Sequence, residues 1–153
     1  MAELFEKICL DTSGEPSAVK AANAAAGLTD KSYDMPVGKK KDPWPLVIAV
    51  ADGVVVSQAD RFLSNDRRQC NVTFYLSEAG GFADVESALV DRLGRTADNE
   101  ADRVRKNGKP NRYFVPEWSH SGTDGQNAKI VVSPNAEGLG FQFSLLATKE
   151  DHK

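Results

Sequence analysis

The sequence predicts an α+β domain of two layers, a mainly antiparallel sheet of about six strands with about three helices on one face. Three observations lead to this fold class. The elements run helix, helix, three strands, helix, three strands, and strands joined by short links usually pair antiparallel. Helical apolar spacing and strict apolar–polar alternation occupy separate segments. The 153 residues match the length of one domain, so residues 1–153 are interpreted as a single unit.

Two helices are expected at the amino-terminal end. Between Ala2 and Leu10, apolar side chains recur one helical turn apart. Pro16 suits the first turn of a second helix, because its missing N–H would have no partner there. The alanine-rich run Ser17–Ala26 favours helix and stops at Gly27, a residue suited to a left-handed C-terminal cap.

Residues 28–45 show no periodicity and are interrupted by proline and glycine, so the sequence predicts a long surface loop that is mobile in part. A two-residue hairpin follows, in which the apolar runs 46–51 and 54–59 flank Asp52-Gly53. This dipeptide favours a type I′ turn and places Val50 opposite Val55. The polar tail, 148–153, is also expected to be mobile.

The remaining elements are one helix and four strands. Alternation in 70–76 places Cys70, Val72, Phe74 and Leu76 on one face of a strand. Apolar residues at helical spacing predict a helix from Phe82 to Leu93, ended by Gly94. The last three strands are expected at 112–118, 129–133 and 139–147.

Composition excludes several classes of protein. Hydrophobic residues make up 41% and charged residues 27%, which argues against wholesale disorder. The net charge of −3 argues against general attraction to nucleic acid or to an anionic membrane surface. The longest apolar run, Leu46–Ala51, is too short for a membrane span. The acidic start does not resemble a leader, so either the protein is cytosolic or Met1 precedes a mature domain.

The two cysteines both fall on predicted core-facing positions. Cys9 follows Phe5 by one helical turn, and Cys70 opens the alternating strand. Two interpretations remain open, a disulfide across a helix–sheet contact or two separate buried thiols that pack as small hydrophobic residues. A disulfide would favour an oxidising compartment and would stabilise the fold by about 3–4 kcal/mol in the chain-entropy estimate.

Residues that carry chemistry are few. Ser119, His120 and Asp124 lie within one short segment, as residue types of a hydrolytic triad, but a turn that uses them for backbone hydrogen bonds is the simpler interpretation. No thiol or imidazole pair has the close spacing of zinc ligands. We therefore assign no catalytic residue, no metal and no cofactor.

Basic and aromatic residues suggest where a partner would bind. One basic run is Lys39–Lys41, and a second extends from Arg103 to Arg112 beside Tyr113. Because Glu100 and Asp102 dilute the second run, a solvated face is expected and nucleic acid is not an expected partner. Aromatic anchors near loops, with His120, form the candidate binding surface, for which ordinary partial burial is the alternative: Tyr33, Trp44, Tyr113, Trp118 and His120.

The opening of the chain resembles a set of uncharacterised small exported bacterial proteins. The resemblance is carried by Phe5-x-x-x-Cys9, by the alanine-rich helix that ends at Gly27, and by Cys70 in a strand. It covers about the first 30 residues and Cys70. It implies a periplasmic or secreted location and a Cys9–Cys70 disulfide, and it implies no activity.

The expected function is therefore that of a small periplasmic or secreted binding module without catalysis, whose partner is a protein or a small ligand. One alternative is a hydrolase-like enzyme centred on His120, which requires a cleft and a carboxylate near the imidazole. The other is a cytosolic accessory or immunity-type protein with free thiols that binds a basic partner through its acidic surface. The sequence leaves the oligomeric state open.

Overall fold

Eight strands form one antiparallel sheet in the part of the chain that the computed structural model describes, residues 1–35, 44–60, 67–75, 82–123, 125–134 and 140–147. The sheet order is β1-β3-β4-β5-β8-β7-β6, and β2 also pairs with β3. The α+β class is confirmed. The strands are β1 (Thr29–Asp30), β2 (Tyr33–Met35), β3 (Trp44–Ala51), β4 (Val54–Ala59), β5 (Gln69–Tyr75), β6 (Glu117–Ser121), β7 (Asn127–Pro134) and β8 (Gly140–Ala147).

Helices cover one face of this sheet. They are α1 (Ala2–Phe5), which continues as the π-helical turn Glu6–Leu10, α2 (Pro16–Ala25), α3 (Phe82–Leu93) and a short 3₁₀ turn, Glu100–Arg103. The Glu15 carboxylate caps α2 by accepting hydrogen bonds from the amides of Ser17 (3.2 Å) and Ala18 (2.8 Å). Gly94 follows α3 with a φ of 72°, so a left-handed residue ends the helix as expected.

The core lies between the helices and the sheet. Val56, Val72 and Phe143 are directly paired across β4, β5 and β8, and all three have no exposed surface. The Phe5 ring stacks on Phe143 with 5.4 Å between centroids. The apolar faces of the helices and of the strands therefore pack together in one buried cluster, which is the main source of stability of the fold.

A disulfide joins Cys9 of the π-helical turn to Cys70 of β5. Their Cα atoms are 5.7 Å apart, the residues are 61 positions apart in the chain, and neither has exposed surface. The predicted pairing is confirmed, and the alternative of two separate thiols is wrong. The bond fixes the amino-terminal helix to the centre of the sheet.

The Asp52-Gly53 hairpin has the predicted register, with Val50 opposite Val55, but not the predicted turn. Only Gly53 has a positive φ, 68°, whereas a type I′ turn requires positive values at both central residues. The type I′ prediction is therefore wrong. The amide of Tyr75 donates to the Gly53 carbonyl at 2.8 Å, which ties the turn to β5.

The strand count exceeds the six predicted because part of the expected loop 28–45 pairs with β3. Ser32 interrupts this edge between β1 and β2, and its hydroxyl accepts from the Ile48 amide at 3.1 Å. Trp44 and Pro45 belong to β3, two residues earlier than expected. A loop was the wrong prediction for these segments, since polar strand residues without periodicity can still pair at an edge. Residues 36–43 and 148–153 lie outside the described residues.

The sixth strand also differs from the prediction. It covers Glu117–Ser121 rather than 112–118, so His120 lies in a strand and not in a loop. Side chains of two preceding residues accept hydrogen bonds from backbone amides on the unpaired edge of this strand. Asp98 Oδ2 accepts from the Ser119 amide at 2.6 Å, and Asn99 Oδ1 accepts from the Glu117 amide at 3.0 Å. The hydrogen bonds that Asp98 accepts from the Ser119 amide and then from the Ser119 hydroxyl lower the pKa of the Asp98 carboxyl.

Candidate binding surface: an exposed basic hairpin

A small hairpin, residues 104–113, projects from the chain between the 3₁₀ turn and β6, and we call it the basic hairpin. Val104 pairs with Pro110 in a single antiparallel bridge. The Arg105 amide donates to the Lys109 carbonyl at 2.8 Å, and Gly108 donates to the Arg105 carbonyl at the same distance. Gly108 has a φ of 77°, a conformation that glycine adopts without strain. The backbone of the tip is therefore held by its own hydrogen bonds.

Asn111 fixes the returning strand of the basic hairpin to its base. Its side-chain amide donates to the Asp102 carbonyl at 3.0 Å, and its amide oxygen accepts from the Tyr113 N–H at 3.1 Å. The Asn111 N–H donates to the Arg103 carbonyl at 2.9 Å. One asparagine thus bridges both strands, as asparagine commonly does in turns.

Arg103 anchors the basic hairpin to the helical layer. Its guanidinium pairs with the carboxylate of Glu86, a buried residue of α3, and with Glu100 at 2.6 Å. It also lies 4.3 Å above the centre of the Phe114 ring. The hydrogen bonds that Arg103 donates to Glu100 and then to Glu86 raise the pKa of Arg103, and Arg103 in turn lowers the pKa of the Glu100 carboxyl. This arginine is used within the fold and is not available to a partner.

The other four basic side chains of this region are not paired within the fold as Arg103 is. All four are exposed, and within the described residues none of their side chains makes an ion pair or a hydrogen bond. Residues 104–116 contain no acidic side chain, and the exposed Asp102 is the neighbouring carboxylate along the chain. The basic hairpin thus concentrates four positive charges on a chain of net charge −3: Arg105, Lys106, Lys109 and Arg112.

Two exposed apolar residues flank these cations. Tyr113 is 84% exposed and Val104 is 53% exposed, the highest values among the large hydrophobic residues that the structure describes. The sequence indicated the basic run and Tyr113 but not the role of Val104. It also could not show that Glu100 compensates Arg103 rather than the cations of the hairpin.

The five aromatic and imidazole residues of the predicted surface do not come together. Trp118 has no exposed surface, and its indole N–H donates to the Arg95 carbonyl at 3.2 Å. Trp118 is therefore a core residue, which corrects its placement on a binding surface. Tyr33 and Trp44 lie on the paired strands β2 and β3, where Tyr33 is 51% exposed. Tyr113 alone belongs to the basic hairpin.

His120 is half-buried and lines a cavity of about 10 Å³, which has room for one water molecule. Burial, followed by the charge of Arg95, lowers the pKa of the imidazole, so it is neutral near pH 7. A general base assisted by a carboxylate would show the opposite shift. Ser13 also lines the cavity, but its hydroxyl lies 2.8 Å from that of Thr123.

The hydrolase alternative gains no support from this geometry. Strand alternation turns the side chains of Ser119 and Ser121 to the sheet face opposite that of His120. Asp124 lies outside the described residues. Within the residues described, no three histidine, cysteine or acidic side chains cluster as a metal site would require.

The sheet face opposite the helices carries an uncharged polar network. Asn71 Nδ2 donates to Ser57 Oγ at 3.2 Å, and Gln69 Nε2 donates to Asn71 Oδ1 at 2.9 Å. Asn71 is only 5% exposed. These groups satisfy one another and offer a partner little unused hydrogen-bonding capacity. The network consists of Ser57, Gln69, Asn71, Thr73, Gln142 and Ser144.

Comparison with known proteins adds no relative. A scan against protein-family models finds no match to the chain, and searches of curated proteins and of solved structures find none either. Among the described helices, none combines the length and the apolar character needed to cross a membrane.

Proposed function

We propose that this protein is a non-catalytic binding module of an oxidising compartment, periplasmic or extracellular, and that it binds an anionic partner through the basic hairpin. The observation that carries the proposal is the contrast between Arg103, which is fully paired, and the four exposed cations beyond it. Unpaired charges held on an ordered backbone are available to an oppositely charged partner without loss of an existing contact.

The proposed compartment is supported by the disulfide. The bond between Cys9 and Cys70 lies in the core, and structural disulfides persist where thiols are not kept reduced. A cytosolic accessory protein with free thiols receives no support from this pairing. The resemblance of the amino-terminal region to exported proteins agrees with the same proposal.

The acidic character of the whole chain is compatible with an anionic partner. Charges farther apart than about 8 Å are largely screened at physiological salt, so a partner responds to the charge of the surface it contacts and not to the net charge of the chain. Within the basic hairpin that surface is positive. Binding should therefore be salt-sensitive.

Heparin affinity chromatography near pH 7 tests this function. Two variants each lose three positive charges. The hairpin variant combines Lys106→Ser, Lys109→Ser and Arg112→Ser. The matched control combines Lys39→Ser, Lys40→Ser and Lys41→Ser in the other basic run. We expect the wild type to be retained and eluted by salt, the hairpin variant to flow through, and the matched control to elute like the wild type. Flow-through of the wild type, or loss of retention only in the Lys39–Lys41 variant, would refute the proposal.

A further inference from the structure

We infer that the anionic partner is the surface of a lipid membrane, an inference that rests on the proposed function of the basic hairpin. The cations alone do not distinguish a lipid headgroup from another polyanion. The exposed apolar residues do, because Val104 and Tyr113 lie on the same small hairpin as the cations and are both more than half exposed.

An apolar residue beside a charged tip suits a membrane interface. Tyrosine is enriched at the level of the headgroups, where its ring contacts acyl chains and its hydroxyl remains hydrated. Val104 has no polar side-chain group, so a polysaccharide or a nucleic-acid backbone would gain little from it. A peripheral protein gains from both residues, since apolar area enters the interface while basic side chains contact phosphate groups.

The number of cations sets the expected strength. Each lysine or arginine near an anionic leaflet increases partitioning by about five-fold. Four such residues give on the order of several hundred-fold, which corresponds to reversible and not permanent attachment. Two apolar side chains add to this without reaching the strength of a lipid anchor.

The remaining charge of the molecule orients it at such a surface. The net charge of −3 includes the four cations of the basic hairpin, so the rest of the chain carries −7. An anionic membrane repels this acidic body and attracts the tip. The hairpin therefore points toward the membrane, with the acidic body on the side away from it.

Cosedimentation with vesicles tests the inference. Vesicles of phosphatidylcholine alone are compared with vesicles of phosphatidylcholine mixed with phosphatidylglycerol, at low and at physiological salt. We expect binding only to the mixed vesicles, weakening as salt is raised. The variant Val104→Thr with Tyr113→Ser should lose about five-fold or more of vesicle binding and retain wild-type elution from heparin, because it keeps every charge. Thr29→Ser on the far edge strand provides a matched control and should bind like the wild type.

The outcomes separate the inference from the function on which it rests. Retention on heparin without vesicle binding would overturn the membrane inference and leave the anionic-partner proposal intact. Equal vesicle binding by the apolar double variant and the wild type would also overturn it, since the contact would then be charge alone. Tighter binding to a single-stranded oligonucleotide than to mixed vesicles at physiological salt would assign a nucleic-acid partner instead.

Discussion

The body of the domain and the tip of the basic hairpin differ in how their side chains are used. In the body, the cysteines are joined, Phe5 is stacked on Phe143, and Arg103 is paired with two carboxylates. At the tip, the side chains of Arg105 and its basic neighbours make no hydrogen bond or ion pair with the residues that the structure describes. Because these cations make no side-chain hydrogen bond or ion pair with the described part of the body, stability and binding should depend on different residues and should be separable by mutation.

Loss of the disulfide should produce the largest effect on stability and none on binding. The variant Cys9→Ala with Cys70→Ala should lose about 2–5 kcal/mol of unfolding free energy, because the bond closes a long loop in the unfolded chain. Urea unfolding followed by circular dichroism measures the change. The folded variant should still elute from heparin at the wild-type salt concentration.

A reductant provides the control for this prediction. It should lower the urea midpoint of the wild type and leave that of the double variant unchanged. Equal midpoints of wild type and variant without reductant, or thiols that react with a labelling reagent in the unfolded wild type, would contradict the disulfide and remove the main support for an oxidising compartment.

Arg103 lies at the boundary of the two regions, and its removal should give the next largest effect. Arg103→Met leaves Glu86 buried without its charged partner, so we expect a loss of about 1–3 kcal/mol. The matched change Arg105→Met, at an exposed residue of the tip, should alter stability by less than about 0.5 kcal/mol. Urea midpoints of the two variants measure the difference.

The heparin elution of the same pair sharpens the comparison. Arg105→Met should elute from heparin at a lower salt concentration than the wild type. Arg103→Met should elute at a lower salt concentration only if loss of the Arg103 ion pairs displaces the basic hairpin. If Arg105→Met destabilised the fold as much as Arg103→Met, the separation of body and tip would be wrong.

Local patterns in the sequence predicted the body better than its edges. Alternation in Cys70–Phe74 and helical spacing between Phe82 and Leu93 assign both elements and their apolar faces correctly, because the side that packs in the core repeats with the period of the element. The edge strands β1 and β2 lack such a period. Their pairing depends on β3 alone, so no local pattern distinguishes them from a loop.

The candidate site was only partly predictable for a related reason. The sequence shows which residues are basic, but not which of them are compensated by distant carboxylates. Glu86 lies 17 positions before Arg103, and only the packing of α3 brings the two together. Trp118 illustrates the reverse case, since an aromatic residue expected beside a loop lies within β6 and has no exposed surface.

The most direct test of the account is a map of amide chemical shifts of the isotope-labelled wild type during titration with a short heparin oligosaccharide. The account predicts that the largest changes fall on the amides of residues 104–113 and that those of β5 and of α2 stay unchanged. Changes centred on the uncharged sheet face around Asn71, or on Lys39–Lys41 with none in the basic hairpin, would contradict it.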